Sequence, residues 1–184
     1  GVQVADVEIV RITADFDAKQ YLVFLETAAA LGAKHILIAG NDQEQQRLID
    51  NFSAFCELSK NYELSCDLEF MPWTAVKNLA EANQIVTASA QDNAAVLIDA
   101  LHFDRSNSTL AEVKQIDKSR MNYVQLCDGW AEYDPSDEGL IKIARSNRLV
   151  PGQGDIDLVG LIQALPTDIT LAAEVPNLEL AALP

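Results

Sequence analysis

Four residues stand late in runs that are otherwise apolar: Glu69 in DLEFMP, Asp99 in LIDALH, Gln125 in VQLCD and Glu174 in AAEVP. Burying a lone carboxylate costs several kcal/mol unless something pairs with it. If neighbouring segments set these four side by side, three carboxylates and one amide oxygen meet at one point. Like charges so close need either protons or a divalent cation between them. An all-oxygen set suits Mg²⁺ or Mn²⁺. Co²⁺ joins them where a histidine is near, and Zn²⁺ fits less well without thiolate or several imidazoles.

The elements that must position these residues follow from the hydrophobic pattern. Short runs rich in Val, Ile and Leu predict strands at 4–12, 35–40, 66–72, 94–103, 122–128 and 169–177. Segments of helical period lie between them at about 17–31, 43–60, 76–88, 109–117, 136–147 and 156–164, several opened by Asp, Ser or Thr. This alternation is the signature of βα units around a parallel sheet. A repeat of roughly 30 residues favours a (β/α) barrel over a doubly wound sheet, as one domain over 1–184. In such barrels the chemistry sits at the C-terminal strand ends, where the four residues are predicted.

Composition narrows the function classes. With 49% hydrophobic residues the chain can bury a core, and 13 Lys+Arg against 28 Asp+Glu give a net charge of −15. That charge repels phosphate backbones and anionic lipid surfaces, so neither nucleic acid nor membrane is an expected partner. The start GVQVADVEIVRI has no basic region of a signal peptide, and no apolar run is long enough to span a bilayer. The expected location is cytoplasmic. Cys56, Cys66 and Cys127 are odd in number and lack CxxC spacing, which predicts reduced, buried thiols.

The order Glu on one strand, Asp-x-x-His on the next, Gln on the third and Glu on the last resembles the xylose isomerase-like TIM-barrel superfamily, particularly its sugar phosphate isomerase/epimerase members. The residues that carry the likeness read DLEFMPW, LIDALHF, YVQLCD, RLVPGQGDID and AAEVPN. The resemblance implies one divalent metal held by Glu69, Asp99, Gln125 and Glu174, with His102 and Arg148 on substrate oxygens. It also implies eight strands, against six visible here, so the first two βα units and the last helix are expected to be missing. An open sheet exposes its edges, which makes a homo-oligomer one expected remedy. Gln125 replaces the histidine common in ketose epimerases and is familiar from the dehydroshikimate dehydratase-like branch. Met71 and Ala75 stand where some relatives carry another polar catalytic residue.

The chemistry suits these side chains. A metal chelating a carbonyl and the adjacent hydroxyl acidifies the carbon-bound proton between them and stabilises the resulting enediolate. Glu69 and Glu174, from separated strands, are the expected pair that takes and returns that proton. Return to the other face epimerises, return to the neighbouring carbon isomerises, and loss of a β-hydroxyl dehydrates. His102 is expected as general acid or donor, on the strength of its near-neutral unperturbed pKa. Arg148 is expected to hold a substrate oxygen in a forked hydrogen bond, and Asp128 to bind substrate or orient a ligand.

Plainer readings stand beside these. Asp99 could cap a helix, although a strand running to Phe103 makes capping the weaker reading; Gln125 could be a satisfied core amide; Glu174 could face solvent; His102 could bond to backbone; Asp128 could be an ordinary loop acid. His35 reads as structural, Trp73 and Trp130 as core packing or pocket walls, and Glu8 with Arg11 as pocket lining or an ion pair. The amides of PGQGDID could cradle an anion, with Asp155 capping the next helix. The favoured function is a metal-dependent isomerase or epimerase of a sugar or polyol ketone. A dehydratase of the 3-dehydroshikimate or inosose type and a non-catalytic remnant are the alternatives. A zinc nuclease is disfavoured, since the chain holds only His35 and His102.

Overall fold

The computed structural model describes residues 1–183. Six strands, β1 (Asp6–Ile12), β2 (His35–Gly40), β3 (Ser65–Glu69), β4 (Ala94–Asp99), β5 (Tyr123–Leu126) and β6 (Thr170–Ala173), form one sheet in sequential order. All neighbours are parallel, and the sheet is a half-barrel. The crossovers carry helices α1 (Leu22–Leu31), α2 (Gln45–Lys60), α3 (Leu79–Ala88), α4 (Ala100–Arg105), α5 (Leu110–Val113), α6 (Asp137–Ser146) and α7 (Leu158–Ala164); α8 (Leu178–Ala181) follows β6. No helix among the described residues is long and apolar enough to cross a membrane.

Local sequence explains where the helices begin and end. Asn78 accepts from the Glu81 amide at 3.0 Å, Thr109 and Glu112 close a capping box, and Ser136 accepts from Gly139 ahead of two acids in the first turn of α6. Gly32 stops α1 at φ +79°, a left-handed turn that costs glycine little.

Alternation along each strand sorts the side chains. Val10, Ile12, Ile36, Ile38, Cys66, Leu68, Val96, Ile98 and Val124 point toward the helices and pack with Leu25, Leu48, Phe52, Phe55 and Leu79. Phe52 and Phe55 are fully buried, each worth about 1.5–3 kcal/mol relative to exposure. The intervening residues line the concave trough: Leu37, Ala39, Leu97 and Tyr123 form a small apolar layer, with the polar residues above and below it.

Several boundaries depart from expectation. β4 stops at Asp99 rather than running to Phe103, and α4 starts at once. The reason is local: Asp99 caps α4, its Oδ1 accepting from the His102 amide at 2.9 Å. The reading that set capping aside is therefore corrected. β6 ends at Ala173, so Glu174 lies just beyond it, and the four-residue α8 occupies a stretch where no helix was expected. All three cysteines are free and buried, as the spacing predicts.

Candidate metal and catalytic site

Register sets the heights of the strand-end residues. Glu69 pairs with Leu97, Asp99 pairs with Gln125, and Gln125 pairs with Ala172. Asp99 thus stands one inward step above Glu69, and Glu174 one step above Gln125. The stagger of a barrel brings such levels together over the trough. Ligand-capable atoms of Glu69, Asp99 and His102 lie within 4.8 Å of one another, all three residues buried. A cavity of about 260 Å³ opens above them, lined by Glu8, Glu69, Trp73, His102, Arg148 and Glu174. Exposed Arg11 and Arg145 stand at its rim.

Arg148, 2% exposed, is the cation inside the cluster. Its Nη1 donates to Asp99 Oδ2 at 2.5 Å, Nη2 lies 3.3 Å from Glu174 Oε1, and Nε donates to the Ala144 carbonyl at 2.8 Å. The forked grip on substrate expected of this guanidinium is already taken up by two acids of the site. His102 Nε2 faces Glu69 Oε1 at 3.7 Å and Asp99 Oδ1 at 3.9 Å, and its ring stands edge-on to Trp73.

One guanidinium does not balance three acids. Burial, then the charges of Asp99 and Glu174, push Glu69 well above the usual carboxylate range. Burial and Asp99 raise Glu174 to about 7. Burial also pushes at Asp99, but Arg148, the His102 side chain and the His102 amide outweigh it and hold it low. His102 is driven down to about 4 by burial, against the pull of Asp99. That departs from the expectation of a near-neutral imidazole: burial favours the uncharged ring.

Among the buried polar atoms without a partner, three belong to this site: His102 Nδ1, Gln125 Oε1 and Glu174 Oε2. Gln125 is 3% exposed, and its Nε2 donates across the trough to Glu8 Oε1 at 3.1 Å. The satisfied core amide is thus only half satisfied. An excess of carboxylate with unpartnered oxygens is a donor set that fits a hard divalent cation; the ligand atoms that lie close together are those of Glu69, Asp99 and His102.

Asp128 has a different task from the one expected of it. Its Oδ1 accepts from the Gly129 and Ile156 amides at 2.9 and 3.1 Å, and Oδ2 from Gly152 at 2.9 Å. The amides of PGQGDID do cradle an anion, and that anion is Asp128 itself. Gly154 is required there, since a Cβ would sit 2.6 Å from Asp128 Oδ1 and 2.5 Å from the Gly129 carbonyl. Asp155 caps nothing; it accepts from the Ala131 amide, and Asp157 caps α7. Trp73 lines the cavity, whereas Trp130 is 59% exposed.

A second buried acid lies below. Asp67 faces the trough two residues before Glu69, accepting from Ser65 Oγ on one oxygen and from Asn122 Nδ2 at 2.8 Å on the other. His35 Nδ1 is 2.7 Å from Ser65 Oγ, and its ring stacks on Tyr123. Burial raises Asp67 to about 7. The sequence signal for this network was the period-two step from Ser65 to Asp67 to Glu69; nothing local pointed to Asn122.

A family model described as xylose isomerase-like TIM barrel matches residues 14–179. The chain is 26% identical over 151 residues to an inosose isomerase of Bacillus subtilis (strain 168), covering 77% of this chain and 52% of that relative. It therefore spans about half the length of the curated relatives it matches. Among solved structures it superposes on an IOLI protein with a bound zinc atom at a TM-score of 0.78, with 20% identity, covering 95% of this chain and 69% of the other. It superposes on the probable 3-DHS dehydratase AsbF of Bacillus anthracis at 0.70, with 16% identity, covering 90% and 69%.

Proposed function

Because the chain belongs to the xylose isomerase-like TIM barrel family, we propose that its strand-end cluster serves a divalent-metal-dependent isomerase or epimerase acting on a sugar or polyol ketone. The observation that carries this reading is the charge excess: Glu69, Asp99 and Glu174 gathered around Arg148 alone, with oxygens of Gln125 and Glu174 left unpartnered. Mn²⁺ or Mg²⁺ suits the oxygens best; the zinc in one structural relative and the nearby His102 keep Zn²⁺ and Co²⁺ in play. Such an ion would polarise a substrate carbonyl and acidify the neighbouring carbon.

The chain's own residues supply the rest. Glu174, just past the end of β6, lines the cavity and is placed to accept and return a proton. Glu69, on a separate strand, is placed to act on the other side. Neutral His102 holds a substrate oxygen without adding charge. Trp73 and Met71 line one wall, while Arg11 and Arg145 at the rim would meet a phosphate or other anionic group. The site acts on a small molecule.

Incubating the chain with Mn²⁺ and an inosose or a ketohexose tests this, following product by NMR. Glu174→Gln is expected to cut turnover by about 10²- to 10⁴-fold. A wild-type chain that takes up no divalent ion in a chelator-controlled titration overturns the reading and favours a non-catalytic remnant. Gln125, with the structural likeness to a dehydratase, supports lyase action as the second reading; loss of water from the cyclic ketone would favour it.

A further inference from the structure

Gln125 is the one amide among the strand-end carboxylates, and only one of its ends can face a cation. Its Nε2 donates to Glu8 Oε1 at 3.1 Å, reaching from β5 across the trough to β1, while Oε1 is buried without a partner. The opposite orientation has an obvious attraction: the NH₂ would turn toward an acid-rich cluster and donate into it. Something must hold it away. With Glu8 in place, rotating the amide by half a turn would press Oε1 against a carboxylate oxygen, two acceptors in contact with no proton between them.

We infer that Glu8 is a positioning residue that fixes the Gln125 amide so that its oxygen, and not its NH₂, is presented to the metal site. The inference rests on the metal-binding reading above. A carboxylate behind a ligand both orients it and makes its donor atom more basic, and losing such a support typically lowers metal affinity about 10- to 100-fold. Here the support comes from a strand on the far side of the trough, so the ligand set depends on β1 although β1 supplies no ligand to it.

Titration calorimetry with Mn²⁺ on the 184-residue chain tests this. E8L is expected to weaken Mn²⁺ binding by about 10- to 100-fold. E8Q keeps an acceptor oxygen at that place and is expected to stay within about threefold of wild type, which separates orientation from charge. In the Q125L background E8L is expected to add less than about twofold, because the residue it positions is gone. Equal affinity of wild type and E8L overturns the inference and leaves the metal reading intact. So does an equal loss for E8Q and E8L, or a full E8L effect in Q125L, since either shows Glu8 acting by charge alone. A wild-type chain with no Mn²⁺ uptake overturns both.

Discussion

Asp67 and Glu69 stand two residues apart on the same face of β3, both buried, yet they are treated in opposite ways. Burial raises both acids. Around Asp67 the fold supplies neutral donors, Ser65 and Asn122, one for each oxygen. Around Glu69 it supplies more acid, Asp99 and Glu174; an imidazole nitrogen lies 3.7 Å from each, His35 for Asp67 and His102 for Glu69. The lower carboxylate has a donor on each oxygen, whereas the upper one has other acids for neighbours. Burial of an acid is therefore not by itself the mark of a functional group; the neighbours it is given decide.

The comparison can be broken most forcefully at Arg148. Arg148→Met removes the guanidinium bonded to Asp99 and is expected to cost about 3–5 kcal/mol in urea unfolding without metal. Mn²⁺ should then raise the melting temperature of this variant more than that of wild type. A variant as stable as wild type would mean the cluster is already neutral.

The next effect is smaller and of opposite sign. Asp67 goes from an ordinary carboxyl of 3.8 when unfolded to about 7 when folded, so folding favours its protonated form. Its contribution to stability is intact below about 4 and is lost as pH rises toward 7. Asp67→Asn should be the more stable chain at pH 8, by up to about 4 kcal/mol, and should flatten the pH dependence between those values. Mn²⁺ affinity should be unchanged; a large loss would merge the two acids into one site. The smallest expected effect is His35→Ala, about 0.5–1.5 kcal/mol for the bond to Ser65, with no change in Mn²⁺ binding.

How much of this was legible from sequence depends on the distance over which each feature is decided. The six parallel strands follow from apolar runs, which report burial on both sides of a sheet directly. The strand-end set was visible because a polar residue late in such a run stands out. The immediate turn from β4 into α4 was hidden, since LIDALHF is apolar on both sides of Asp99 and hydrophobicity carries no period over so few residues. The Asp and the spacing to His102 were the local evidence for a cap. Most of what Arg148, Asp128 and Asn122 bind lay beyond reach, because Asp99 and Cys127 for Arg148, Ile156 for Asp128 and Asp67 for Asn122 are 21 to 55 residues away and are chosen by packing.

Asp99 divides its labour between its two oxygens: one is spent on the His102 amide at the start of α4, the other on Arg148. An incoming ligand that competes for the second oxygen can be exchanged without unseating the first. The start of α4, and with it the imidazole, therefore does not depend on the bond to Arg148.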